Sequence, residues 1–166
     1  VCSCCGGKVF EHSHSLSKGL VNTLIQVKKF VALTQKNKVH PIKDLLLSNY
    51  EYNNMQKLRY FGLIAHYTNP ETKKMESGYW LLTRNGNKFL NGNLDMPMRV
   101  KTMKNKISGK SKERIFLSNV LTSEDIPYWD DYKTPVENEV NFYPNIYEME
   151  EEEIILDEHG QTKFYF

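Results

Sequence analysis

The residue types best suited to chemistry in this chain of 166 residues crowd its N-terminal end. Cys2-Ser3-Cys4-Cys5-Gly6-Gly7 contains a C-x-x-C-G turn. Such a turn lets two thiolates face one ion, and the glycine lets backbone N–H groups approach the sulfurs. That is half of a tetrahedral site. His12 and His14 follow, and an H-x-H pair on an extended segment points both rings the same way. The expected site is therefore a structural zinc (Zn) held by Cys2, Cys5, His12 and His14. Two alternatives stay open at this level. A second knuckle upstream of Val1 would supply the missing ligands, since the chain starts without an initiator methionine, or the end is disordered and carries reactive thiols. A closed site leaves no open position for a water nucleophile, so catalysis at this metal is not expected.

The other chemical signals are decoys. Gly109-Lys110-Ser111 ends like a phosphate-binding loop, but the position five residues before that glycine is Lys104, and no buried parallel strand precedes it. No G-x-S-x-G occurs, and Glu150 to Glu153 form a solvated acidic run rather than an acid/base pair. His40 and His66 read as residues at a helix start and in a strand. No nucleophile has an evident base beside it, so the chain is expected not to be an enzyme. Its cysteines, Cys2, Cys4 and Cys5, are odd in number and too close together for a disulfide framework.

Charge is segregated along the chain. The net value is only +2, from 22 Lys plus Arg and 20 Asp plus Glu. From residue 121 onward there are two bases and thirteen acids, a net of -11, whereas the first 120 residues carry twenty bases and seven acids, a net of +13. A basic body followed by an acidic segment implies a polyanion-binding surface and a tail that either screens it or touches something else. The densest basic stretch is Arg99, Lys101, Lys104, Lys106, Lys110, Lys112 and Arg114, against Glu113. That density suits contact with phosphates. The tail's aromatic residues, Tyr128, Trp129, Tyr132, Phe142, Tyr143 and Tyr147, argue against plain disorder and point to packing on a protein partner or on the basic body.

Composition at 40% apolar and 12% aromatic residues is enough to fill one core. No run of residues is apolar for the length a bilayer span requires, so a cytoplasmic protein that does not engage membranes is expected. Four zones divide the chain: a Cys/Gly segment at 1–12, alternating helical and strand patterns at 13–95, a basic hairpin at 98–120 with Ser108-Gly109-Lys110 as its turn, and the acidic aromatic tail at 121–166. Within the second zone, Leu16, Leu20, Leu24, Val27 and Val31 predict a helix from about 15 to 36. His40-Pro41 predicts a short second helix carrying Ile42, Leu45 and Leu46. Ser48 and Glu51 form a capping box that starts a third helix at Asn49, and Gly62 stops it. The fold class is α+β.

The third helix has an unusual outward side. Opposite its Met55/Leu58 stripe stand Asn49, Tyr50, Asn53, Gln56, Lys57 and Tyr60, with no acid among them. Asn and Gln can pair bidentately with adenine, while Lys and Tyr reach phosphates. A hairpin follows, Leu63 to Thr68 and Gly78 to Leu82, with Lys73 and Lys74 in its loop. Thr83 then caps a short closing helix.

Leu58-Arg59-Tyr60-Phe61-Gly62-Leu63-Ile64, followed by Gly78-Tyr79-Trp80-Leu81-Leu82-Thr83-Arg84-Asn85-Gly86-Asn87-Lys88-Phe89-Leu90, resembles the winged helix-turn-helix superfamily over about half the chain. With the cysteine turn in front, the pattern also resembles small uncharacterised phage and bacterial proteins. The resemblance implies a three-helix core whose third helix enters the DNA major groove, with the hairpin wing on the flanking backbone. The implied role is a transcription regulator bound to double-stranded DNA, with Lys101, Lys104 and Lys106 adding phosphate contacts and a homodimer compatible with it. The competing role is a protein-interaction module acting on host machinery.

Overall fold

The computed structural model of the protein describes residues 11–69, 71–104, 106–132 and 134, and the backbone of residues 155–156 and 162–163. Cys2, Cys5 and the run Glu150 to Glu153 lie outside the described residues. The chain forms a mixed α+β fold of helices and small antiparallel sheets.

Helix α1, Lys18–Thr34, begins where the Ser17 hydroxyl accepts the Leu20 N–H. Of its predicted stripe, Leu20, Leu24, Val27 and Val31 lie on its buried side, whereas Leu16, also buried, precedes the Ser17 cap, so the helix starts at Lys18 rather than near residue 15. Gln35 ends it in a left-handed conformation, returning its N–H to the Val31 carbonyl at 2.9 Å.

The expected second helix is a single turn, Pro41 to Asp44. The His40 ring explains why. Its Nδ1 accepts the N–H groups of Ile42 and Lys43, both at 3.2 Å, and Asp44 reaches back to the His40 N–H at 2.8 Å. Side chains thus satisfy the first-turn donors without a helix behind them. Of the expected apolar stripe only Leu45 is buried, and Leu46 stands 95% exposed.

Before that turn, residues 37–39 run along the returning strand of the hairpin. Ile64–Thr68 (β2) pairs antiparallel with Met75–Leu82 (β3), and Val39 exchanges both backbone hydrogen bonds with Trp80 at 2.8 Å. Two residues further along β3, a side chain replaces the partner strand. The Asn37 amide donates to the Leu82 carbonyl at 2.8 Å, and its oxygen accepts the Leu82 N–H at 2.7 Å. Asn37 is 1% exposed, so water cannot substitute for it. Asn37→Ala should therefore strand two buried backbone groups, at about 1–3 kcal/mol each. A lowered urea midpoint with unchanged slope checks this; an unmoved midpoint would contradict the bridging role.

The third helix begins as predicted, with both halves of the Ser48/Glu51 capping box formed, but it changes type midway. Asn49–Asn54 is α-helical (α2), and Met55–Phe61 is a 3-10 helix. Met55, Leu58 and Phe61 are three residues apart and all buried, the spacing that a three-residue turn aligns. Gly62 closes it with φ 75°, a left-handed cap. After β3, Thr83 caps Arg84–Leu90 (α3), its hydroxyl accepting the Gly86 N–H at 2.9 Å and donating to the Gly62 carbonyl at 2.6 Å.

The second sheet joins distant segments. Glu11–Ser15 (β1) and Lys106–Lys110 (β6) flank Arg99–Met103 (β5), so β1 belongs with the basic hairpin rather than with an N-terminal module. The hairpin reverses at Lys104, φ 51°, not at Ser108-Gly109-Lys110. Those residues lie in or beside β6 because a bulge opposite Lys101/Thr102 absorbs the extra residue. Met96–Pro97 (β4) pairs with Arg114–Ile115 (β7), and Leu117–Val120 (α4) follows.

The core continues into the zone that composition assigns to the tail. Leu117 and Leu121 belong to the same buried cluster as Leu16 and Leu24. Beyond them Trp129 donates from Nε1 to the Leu90 carbonyl at 2.6 Å and lies under the Lys28 ammonium, 4.2 Å from its ring centre. Lys28, 0% exposed, also donates to Asn91 Oδ1 at 2.6 Å. Thr134 is buried as well. Further on, Ile155–Leu156 (β8) pairs antiparallel with Thr162–Lys163 (β9), and β9 comes against β6.

Candidate nucleic-acid interface

Glu51 orients the segment that begins at Asn49. Besides capping Ser48, its carboxylate accepts from Gln26 Nε2 at 3.0 Å and from the Thr23 hydroxyl at 3.4 Å, both on α1. The acid of this segment is thereby turned toward α1. Asn49, Asn53 and Gln56 are exposed, and Lys57 is half-buried. Tyr50 is exposed too, although its ring lies against Gly19 of α1.

Tyr60 is a correction. It was expected among the outward residues, but it is 9% exposed and belongs to the core cluster. The α-helical count of 100° per residue fails once the segment tightens to the 3-10 form, and Tyr60 is turned onto β1. There its ring stacks on His14, centroids 5.3 Å apart and 18° between planes. From Tyr60 a continuous ladder of contacts runs into the β2–β3 hairpin. The Arg59 guanidinium lies 5.0 Å from the Tyr60 ring centre and donates to the Tyr60 hydroxyl at 3.3 Å. It also meets His66 Nε2 at 3.1 Å, and His66 stacks on Trp80 at 4.3 Å.

This ladder fixes the charge of its histidines. A guanidinium has only donors, so His66 Nε2 must accept and the ring proton sits on Nδ1. Burial, and then the Arg59 charge, hold the His66 imidazole below the ordinary histidine range. Burial likewise lowers His14, helped by Lys57 and His12. Both shifts favour the neutral imidazole. The ladder therefore positions the 49–61 segment between the two sheets, its charge coming from the Arg59 guanidinium rather than from its histidines.

Positive charge gathers on one face of the β1–β5–β6 sheet. Along β5, Val100 and Thr102 are buried while Arg99, Lys101 and Met103 are exposed. Cross-strand pairing puts Ser15 beside Arg99, Ser13 beside Lys101 and Lys106 beside Met103. Arg99, Lys101 and Lys106 thus share the outer face, with Lys104 exposed at the turn. Glu11 interrupts them, 3.5 Å from Lys101 Nζ. An exposed pair of this kind contributes ~0–1 kcal/mol, so a phosphate can take the lysine over.

On the hairpin loop Lys73 and Lys74 are exposed, as is Glu71. Glu76 is taken out of that loop by Lys38, whose ammonium lies 2.5 Å from its carboxylate and within 4.9 Å of the Tyr67 and Tyr79 ring centres. The Lys38 hydrogen bond keeps the Glu76 carboxyl below the usual carboxylate range. Lys38 and Arg59 carry roles that the sequence did not signal, since their partners come from other elements.

The predicted metal ligands are brought together only in part. His12 and His14 stand on β1 with ring centroids 6.4 Å apart, both on the side that pairs with Thr102 and Val100. His14 Nε2 is 2.8 Å from the Thr102 hydroxyl, which leaves Nδ1 as the nitrogen suited to an ion. Among the described residues no group of three or more His, Cys, Asp or Glu side chains converges. No protein family, curated protein or solved structure matches the chain.

Proposed function

We propose that this chain is a non-enzymatic DNA-binding protein, a transcription regulator of the phage or mobile-element kind that its sequence resembles. In this reading it is a variant winged helix-turn-helix. The 41–44 turn stands for the second helix, the 49–61 segment enters the major groove and the β2–β3 hairpin lies on the backbone. One observation carries the reading. The side of the 49–56 segment turned away from α1 is solvent-exposed and offers Asn49, Asn53 and Gln56, while its acid, Glu51, is engaged with α1. Amide side chains in that position suit adenine edges, and Lys57 with Lys73 and Lys74 suits flanking phosphates. Arg99, Lys101, Lys104 and Lys106 supply a further polyanion surface. A structural zinc at Cys2, Cys5, His12 and His14 is part of the proposal, its task being to anchor the N-terminal end beside β1.

The test is a salt series with a random-sequence duplex. If about four phosphates are neutralised, the log-log slope of affinity against salt should be about -3.6. A slope near zero, or no binding at low salt, would remove the nucleic-acid reading. The second reading, a protein-interaction module, is favoured by Leu33, Ile42 and Leu46, which stand 78%, 67% and 95% exposed on and after the end of α1. It expects no retarded duplex. Among the described residues no helix is long and apolar enough to cross a membrane.

A further inference from the structure

A cleft of about 130 Å³ opens where three parts of the fold meet. Tyr60 and Phe61 reach it from the end of the 3-10 segment, Asn85 from the first turn of α3, and Lys110 and Arg114 from β6 and β7. The two cations belong to different sheets. Lys110 pairs with Val100, and Val100 with His14, so the three form one row on the face that Tyr60 covers. Arg99 and Lys101 alternate with Val100 onto the other face, so Lys110 is no part of the outer polyanion surface. Arg114 is held in place by Asp95, whose carboxylate accepts from Nε at 3.1 Å and whose backbone carbonyl accepts from Nη2 at 3.0 Å. Those bonds use two of the five guanidinium N–H donors and leave the pair on Nη1 for a ligand. No acid is among the described residues that line the cleft, and Phe61 and Met96, both buried, give it an apolar wall.

We infer that this cleft is a binding site for a small organic acid, its carboxylate on Arg114 and Lys110 beside the Asn85 amide, and its apolar body against Phe61 and Met96. A guanidinium fork matches a carboxylate, and the second cation adds to it. A bare inorganic anion would leave the apolar wall in water, so the body of the ligand is part of the recognition. Size narrows the class. The cleft is smaller than the ~300–1,000 Å³ typical of sites for drug-sized ligands, which suits a molecule near benzoate and leaves no room for a nucleotide. An occupant touches Tyr60, from which the ladder runs to His66 and Trp80, so the ligand and the 49–61 segment share a contact. The inference does not depend on the DNA-binding reading.

The test is a titration of the full chain, followed by amide NMR shifts at constant ionic strength, with benzoate, acetate and inorganic phosphate as separate probes. Benzoate should give saturable shifts clustered at Phe61, Asn85, Met96, Lys110 and Arg114, with Kd on the order of 1 mM, the scale for so small a ligand. Acetate, which lacks the apolar body, should bind about 10-fold more weakly or less, and so should phosphate. Shifts that do not saturate, or that scatter over the basic surface, overturn the site. Acetate or phosphate binding as tightly as benzoate overturns its assignment to an organic acid. Arg114→Gln and Lys110→Gln should each weaken benzoate about 10-fold, whereas Lys106→Gln, on the opposite face of the sheet, should leave it unchanged. Arg114 also anchors Asp95, so Lys110→Gln, which spares that contact, decides the matter if the arginine variant does not fold. Equal affinities in Lys110→Gln and Lys106→Gln overturn the inference. No arm involves duplex, so a failure here leaves the DNA-binding reading standing, and the reverse holds too.

Discussion

Gly86→Ala is expected to cost the fold about 3 kcal/mol or more, the upper end of overpacking penalties, because the group it meets is backbone and cannot rotate away. An alanine Cβ at this position would overlap the Leu63 carbonyl oxygen and sit 2.9 Å from Leu82 Cδ1. The carbonyl is itself fixed: Leu63 accepts the Thr83 N–H at 3.2 Å, and Thr83 holds both the Gly62 carbonyl and the Gly86 N–H. Helix α3 thus lies directly on the start of β2, and only a residue without a side chain allows it. Equilibrium urea unfolding measures the effect, with Gly109→Ala as the internal control. No atom lies within 4 Å of a Cβ built at Gly109, and its φ is not positive, so that change should be neutral within about 0.5 kcal/mol. Coincident curves for wild type and Gly86→Ala would mean that α3 does not pack as described.

The second large effect concerns binding. Arg99, Lys101 and Lys106 share one exposed face, so replacing all three with glutamine should remove three phosphate contacts at once. Each contact is worth about 8-fold at 100 mM salt, giving a loss of about 500-fold, and the salt slope should flatten from about -3.6 to about -0.9. The fold should survive, since these side chains are exposed and the sheet's buried side is Val100, Thr102 and His14. Asn53→Ala with Gln56→Ala should behave differently. It should reduce discrimination between sequences and leave the salt slope unchanged, the signature of base rather than phosphate contact. An unchanged affinity in the triple variant would show that the basic sheet takes no part in binding.

Local physics was legible in the sequence, and long-range pairing was not. The α1 stripe, the Ser48/Glu51 box, the Gly62 cap and the Thr83 cap each need only neighbours within a turn or two, and each forms as expected. The His40 turn went the other way because proline at a helix start says nothing about the ring beside it, which satisfies the donors that a helix would otherwise have to place. Ser108-Gly109-Lys110 carries ordinary turn chemistry, yet the bulge in the β5–β6 pair uses those residues as strand. Tyr60 left the outward face because the three-residue spacing of Met55, Leu58 and Phe61 tightens the helix, and that spacing was present to be read. Nothing local marks Glu11 to Ser15 as the partner of Arg99 to Met103, or Asn37 as the partner of Leu82.

Buried packing continues past the composition change near residue 121, through Leu121 and Trp129 to Thr134. Residues 1–134 hold twenty-one bases and eleven acids, a net of +10. The first 134 residues alone are therefore a strong cation, where the whole chain is nearly neutral, and they keep the indole that lies under Lys28.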